Sequence, residues 1–147
     1  EKCGFQVISC SEEFDGEIIS AIGVVNSSMP SMQYDFYYKM KILASKIKLL
    51  KSEGKSIALW GVSGNGCALL NFCNFNASVI EYVIDSDKRK QGFFVPGTGQ
   101  LVVSPEYLKK SPPDVIVILS QLHKIDIIEQ IRITYNPNIV IIIPDEL

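Results

Sequence analysis

One histidine, one tryptophan and a formal net charge of −2, from 14 basic and 16 acidic residues, leave this 147-residue chain short of several common signatures. The well-mixed charge gives no electrostatic footprint for nucleic acid. The longest purely apolar runs, such as that from Ile139 to Ile143, fall far below the roughly 20 residues needed to cross a bilayer. Cys3, Cys10, Cys67 and Cys73 lack the close paired spacing of a zinc ribbon, so no metal site is expected. They read as free, mostly buried thiols in a reducing compartment. No serine, histidine and acid spacing suggests a hydrolase, and there is no internal repeat or low-complexity tract. No signal peptide precedes the first strand, so the expected location is cytoplasmic. The start at Glu1 rather than methionine reads as a piece of a longer polypeptide.

What is present is a chain that is 47% hydrophobic and long enough for one substantial core. Extended, β-rich patterns from Phe5 to Ile8 and from Glu17 to Val25, with Phe14, Asp15 and Gly16 between them, predict a hairpin. The stretch from Asn26 to Ser31 reads as a linker. Phe36, Met40, Leu43, Ile47 and Leu50 then recur at helical spacing, predicting a long amphipathic helix that Gly54 stops. Its lysines lie largely off the apolar stripe, as on a solvated face.

Five apolar runs follow: Ser56 to Trp60, Val79 to Ile84, Leu101 to Val103, Asp114 to Leu119 and Ile139 to Ile143. Helical patterns from Cys67 to Phe75, from Pro105 to Lys110 with Ser104 as cap, and from Leu122 to Thr134 separate most of them. Near-continuous Ile and Val runs alternating with helices predict strands covered on both faces. The fold class is therefore α/β, a Rossmann-like parallel sheet of about five strands flanked by helices, preceded by a short N-terminal β-hairpin and the long helix. Residues 1–30 are expected to be the tail of an upstream domain, and 31–147 the Rossmann-like domain with its leading helix.

The stretch IALWGVSGNGCALLNF joins an apolar strand to a helix through Gly61, Ser63, Gly64, Asn65 and Gly66. Such a turn lets backbone approach a ligand and aims the first helical N–H groups at an anion such as a phosphate. Its pattern, G-x-x-G-x-G, differs from the dinucleotide fingerprint G-x-G-x-x-G, which weakens an NAD-binding oxidoreductase reading. Asp85 ends the second run 19 positions after Gly66, where a carboxylate in dinucleotide folds accepts bonds from a ribose diol. The following loop, KQGFFVPGT, offers Lys90, Gln91, Pro96, Gly97 and Thr98 as a pocket wall, or else is a surface turn whose phenylalanines pack inward. His123, on the same rim, could carry a proton or merely cap its helix. No residue is assigned a catalytic role. A glycine turn used only for packing, in a ligand-free interaction or dimerisation module, remains the rival reading.

At GVSGNGCALLNFC, IEYVIDSDKRKQGFFVPGT, VSPEYL and PPDVIVIL, in that order, the chain resembles the C-terminal domain of bacterial sugar C-methyltransferases. The resemblance covers roughly Leu50 to Pro144. It implies that an S-adenosylmethionine-binding domain lies upstream, and that CGFQVISCSEEFDGEIISAIGVV is its closing antiparallel strands. It also implies that this domain helps bind a nucleotide-sugar, with methyl-transfer chemistry and cofactor held elsewhere. No cofactor is expected in the fragment itself, and a homodimer is left open. The chain departs from the family at Ser120, Gln121, Leu122 and His123, in place of a Trp-Asn pair, and at Gly99 and Gln100.

Overall fold

The structure, a computed structural model, describes residues 5–13, 18–25, 32–120 and 122–144. The chain divides into two units, Glu1–Tyr38 and Lys39–Leu147. In the first, β1 (Phe5–Glu13) and β2 (Ile18–Val25) pair antiparallel. The register slips between Val7 and Ser9, which face Gly23 and Ile22, so Ile8 is an extra residue. That bulge breaks the alternation, which is why the sequence pattern ends the first strand at Ile8 although pairing continues to Glu13. The expected turn at 14–16 and linker at 26–31 lie outside the described residues.

Helix α1 (Met32–Ser52) runs into the second unit. There it buries Met40, Leu43 and Ile47, three residues of the expected stripe, and half-buries Leu50, while Lys41, Lys46 and Lys48 stay exposed. Gly54, at φ +78°, ends it: the Gly54 N–H donates to the Lys51 carbonyl and the Lys55 N–H to that of Leu50, a Schellman closure.

The sheet then forms from β3 (Ile57–Trp60), helix α2 (Asn65–Phe72), β4 (Tyr82–Ile84), β5 (Leu101–Val103), a 3-10 helix (Pro105–Lys109), β6 (Val115–Ile118), α3 (Lys124–Gln130) with a π-helical turn (Ile131–Tyr135), and β7 (Val140–Ile142). All five strands are parallel, in the order β5-β4-β3-β6-β7. Their continuous apolar runs divide between two cores. Ile57, Leu59, Val83, Val115 and Val117 pack with Leu43, Ile47, Leu69 and Leu70 from α1 and α2. Ala58, Trp60, Ile84, Ile116 and Ile118 pack with Leu108, Ile127 and Ile131 on the other face. Strand residues alternate sides, so only burial on both faces makes every position apolar.

Several boundaries differ from the sequence pattern. Helix α2 begins at Asn65 and stops at Phe72, because Asn74 adopts φ +51° and the Phe75 N–H closes onto the Leu70 carbonyl. This second Schellman end uses asparagine in place of glycine, so it carries no glycine signal. Val79 and Ile80 belong to a turn closing on the Asn76 carbonyl; Ile80 is apolar because it is buried. Ser104 precedes the 3-10 helix but its side chain makes no capping bond; its carbonyl accepts the Tyr107 N–H instead. The last helix begins at Lys124, not Leu122, and widens to π geometry before Asn136. Cys10 is exposed and Cys67 and Cys73 are half-buried, so the described thiols are less buried than expected. Cys73 lies just past α2; burial pushes its thiol pKa up, partly offset by Lys48.

Candidate functional site

The winding direction changes at β3, which has β4 on one side and β6 on the other. In open α/β sheets the crevice beyond the carboxyl ends of such strands is where ligands collect. A cleft of about 740 Å³ occupies that position, lined on one side by Trp60, Gly61, Ser63, Gly64, Asn65, Asp85, Ser86 and Lys90. The other side is Leu119, Ser120, Leu122, His123, Asp126, Ile127 and Gln130.

The glycine loop is tied down at both ends. The Gly61 N–H, at φ +97°, donates to the Ile84 carbonyl (2.7 Å), and the Gly66 N–H donates to that of Ser63 (3.0 Å). Gly66 packs so closely on the Gly61 carbonyl that a Cβ there would collide with it. Gly66 therefore works inside the loop instead of lining the cleft. Among the described residues, the N–H groups of Ser63, Gly64 and Asn65 have no hydrogen-bond acceptor, and they lie where the cleft opens at the start of α2.

Asp85 is 8% exposed and connects the two loops. Its Oδ2 accepts the Val62 N–H (3.1 Å) and Lys90 Nζ (3.3 Å), and its Oδ1 accepts the Asp87 N–H (2.9 Å). Lys90 Nζ also donates to Ser63 Oγ (2.5 Å) and lies 3.9 Å from Asp87 Oδ2. The ammonium is thus held over the glycine loop by one hydroxyl and a largely buried carboxylate, a placement suited to an anion in the cleft.

Other residues expected at the pocket lie elsewhere. Gln91 donates from Nε2 to the Asp85 backbone carbonyl (2.9 Å), fixing the loop from behind. The Pro96 carbonyl accepts Asn71 Nδ2 (3.1 Å), and Gly97 leaves no room for a Cβ against Asn71 Oδ1. Thr98 Oγ1 donates to Gln100 Oε1 (2.6 Å), whose Nε2 donates to the Phe75 carbonyl (2.6 Å). Gln100 is fully buried, so the departure from the family there concerns a support beneath the loop. Gln91, Gly66 and Pro96 to Thr98 do not line the cleft. Phe93 and Phe94 are 67% and 66% exposed, contrary to the inward packing that a plain surface turn predicts.

His123 lies on the rim as expected, exposed, at the N-cap of α3 but making no side-chain capping bond. The α3 wall, with Asp126 and Gln130, was missed by local motif reading. Its signal was positional: it follows β6, and only the pairing of β6 with β3 brings it to the cleft.

Asp87 is held by the Arg89 guanidinium (2.8 and 3.0 Å) and by the Arg89 N–H (3.0 Å), which bring its carboxyl down to about 2. A depressed folded-state pKa stabilises the loop fully above the unfolded carboxylate range, about pH 4, and that contribution is lost as pH falls through about 2. An NMR titration of the Asp87 carboxyl carbon should therefore place its midpoint near 2, moving up toward the ordinary value in Arg89→Ala. A midpoint unmoved by that substitution would contradict the assigned cause.

Among the described residues, no group of three His, Cys, Asp or Glu side chains could hold a metal, and no helix is long and apolar enough to cross a membrane. The sequence profile of the C-methyltransferase C-terminal domain matches residues 37–144. The C-methyltransferase NovU of Streptomyces niveus is 31% identical over 78 residues, 53% of this chain. The match spans only 19% of that relative's length.

Proposed function

The chain belongs to the C-methyltransferase C-terminal domain family, and on that premise we propose that it holds a nucleotide-sugar by its diphosphate while methyl transfer occurs in an upstream domain. The observation that carries this reading is the convergence of three unbonded amides, Ser63, Gly64 and Asn65, with the Lys90 ammonium on one cleft at the sheet's switch point. Amide dipoles at a helix start and a held cation together favour phosphate oxygens. Ser120, Asp126 and Gln130 across the cleft would meet sugar hydroxyls. Asp85 would act through the loop, its oxygens engaged by Val62, Asp87 and Lys90. The open cleft supports a bound ligand over a scaffold used for packing alone.

Lys90 and the three amide N–H donors suit an anion better than the sulfonium cation of S-adenosylmethionine. Of the two carboxylates on the lining, Asp85 is already engaged by Val62, Asp87 and Lys90, which leaves Asp126 on the other wall. The methyl donor is accordingly assigned to the upstream domain, as are proton abstraction and enolate stabilisation. This domain's part is to position the substrate and to limit its freedom.

Trp60 is the chain's single tryptophan and lines the cleft, so its fluorescence reports on occupancy. A nucleoside-diphosphate sugar should change that emission saturably, and S-adenosylmethionine should not. Lys90→Ala should weaken the nucleotide-sugar about 10- to 100-fold, the worth of a charge-assisted bond. A response to the methyl donor alone, or undiminished affinity without Lys90, would refute the clamp.

A further inference from the structure

A second groove, of about 360 Å³, adjoins the cleft and shares Lys90 with it; Val62, Arg89, Phe93, Phe94 and Val95 form much of its wall. This volume is at the small end of ligand pockets. Its two phenylalanines are about two-thirds exposed, yet the backbone beneath them is firmly bonded. The Gly92 N–H donates to the Val102 carbonyl (2.9 Å), the Val102 N–H to that of Phe93 (2.8 Å), and the Val95 N–H to that of Gln100 (2.8 Å). Phe94 also bridges to Leu101, and Val95 is buried. The rings are thus presented to solvent by an ordered tongue, at a cost in exposed apolar surface that a bound partner would offset.

A diphosphate carries two substituents, and Lys90 lines both cavities. With the diphosphate beside Lys90 and the sugar toward α3, the groove that Val62 and Lys90 line is the space left for the nucleoside. We infer that the groove is a base-stacking site, in which Phe93 and Phe94 receive the nucleobase of a nucleoside diphosphate whose phosphates lie at Lys90. Flat aromatic faces stack any base, and the adjoining cation supplies the charge complement that an apolar peptide would not use. The inference rests on the proposed reading of the cleft as the diphosphate site.

Calorimetry on the full chain with inorganic diphosphate and with uridine, thymidine and guanosine diphosphates separates the two claims. At least one nucleoside diphosphate should bind about tenfold or more tighter than inorganic diphosphate, the gain that stacking on an aromatic provides. The paired substitutions Phe93→Ala with Phe94→Ala should erase that preference and leave inorganic diphosphate unchanged. Phe93→Leu with Phe94→Leu, which keeps apolar bulk without the flat face, should do the same, and Phe93→Tyr with Phe94→Tyr should preserve it. If inorganic diphosphate binds but no nucleotide binds tighter, the stacking site falls and the cleft reading stands. A preference that survives both the alanine and the leucine pairs assigns the rings to packing against another part of the polypeptide and overturns the inference. If no probe binds, both readings fall.

Discussion

Gly66→Ala is expected to destabilise the chain by about 3 kcal/mol, at the upper end of the usual cost of overpacking a filled site. The added Cβ would meet the Gly61 carbonyl, a backbone atom that is part of the turn from β3. Gly61 cannot easily retreat, because its own N–H is bonded to the Ile84 carbonyl and so to the next strand. Relief would require moving the start of α2, where Leu69 and Leu70 are fully buried against the sheet. Gly61→Ala is the comparison: there a Cβ meets nothing within 4 Å and the cost is that of φ +97° alone, about 1–2 kcal/mol. Urea unfolding measures both, and equal costs would show that the contact between Gly66 and Gly61 is not what limits this position.

For Asp85→Ala the expected loss is about 2–4 kcal/mol, since it strips the acceptor from two backbone N–H groups at a largely buried position. Lys90 loses a partner as well, but is over a third exposed and can turn to water, so the two amides carry most of the cost. Binding makes the sharper test. Simple Coulomb reasoning says that removing a carboxylate beside Lys90 should strengthen anion binding. If Asp85 instead shapes the site by holding the Val62 amide, inorganic diphosphate should bind more weakly to Asp85→Ala. Asp85→Asn, which retains an acceptor oxygen, should recover part of the stability. Tighter diphosphate binding by Asp85→Ala would remove the positioning role.

The local parts of the site were legible because each is built from neighbours in the chain. A strand, glycines that permit positive φ at Gly61 and Gly64, and a helix starting at once at Asn65 form the turn wherever the sheet happens to lie. Asp85 and Lys90 were likewise readable, as an acid at a strand end and a lysine five residues on. Gly97 and Thr98 lie outside the cleft, and Pro96 lines only the adjoining groove. Their turn chemistry resembles a pocket loop, yet the tongue folds back so that Asn71 and Gln100 take its polar groups. Nothing in the spacing of those residues distinguishes a turn that faces ligand from one that faces a helix.

From the residues alone came the α/β class, the five parallel strands and the glycine turn between β3 and α2, since apolar runs, helical periodicity and backbone freedom are properties of short segments. The tertiary structure decided which strands became neighbours, and with them that Asp126 and Gln130 stand opposite Lys90 and that Phe93 and Phe94 remain in solvent. Those outcomes depend on contacts between segments far apart in the chain, and the order in which strands pair is written in no single one of them.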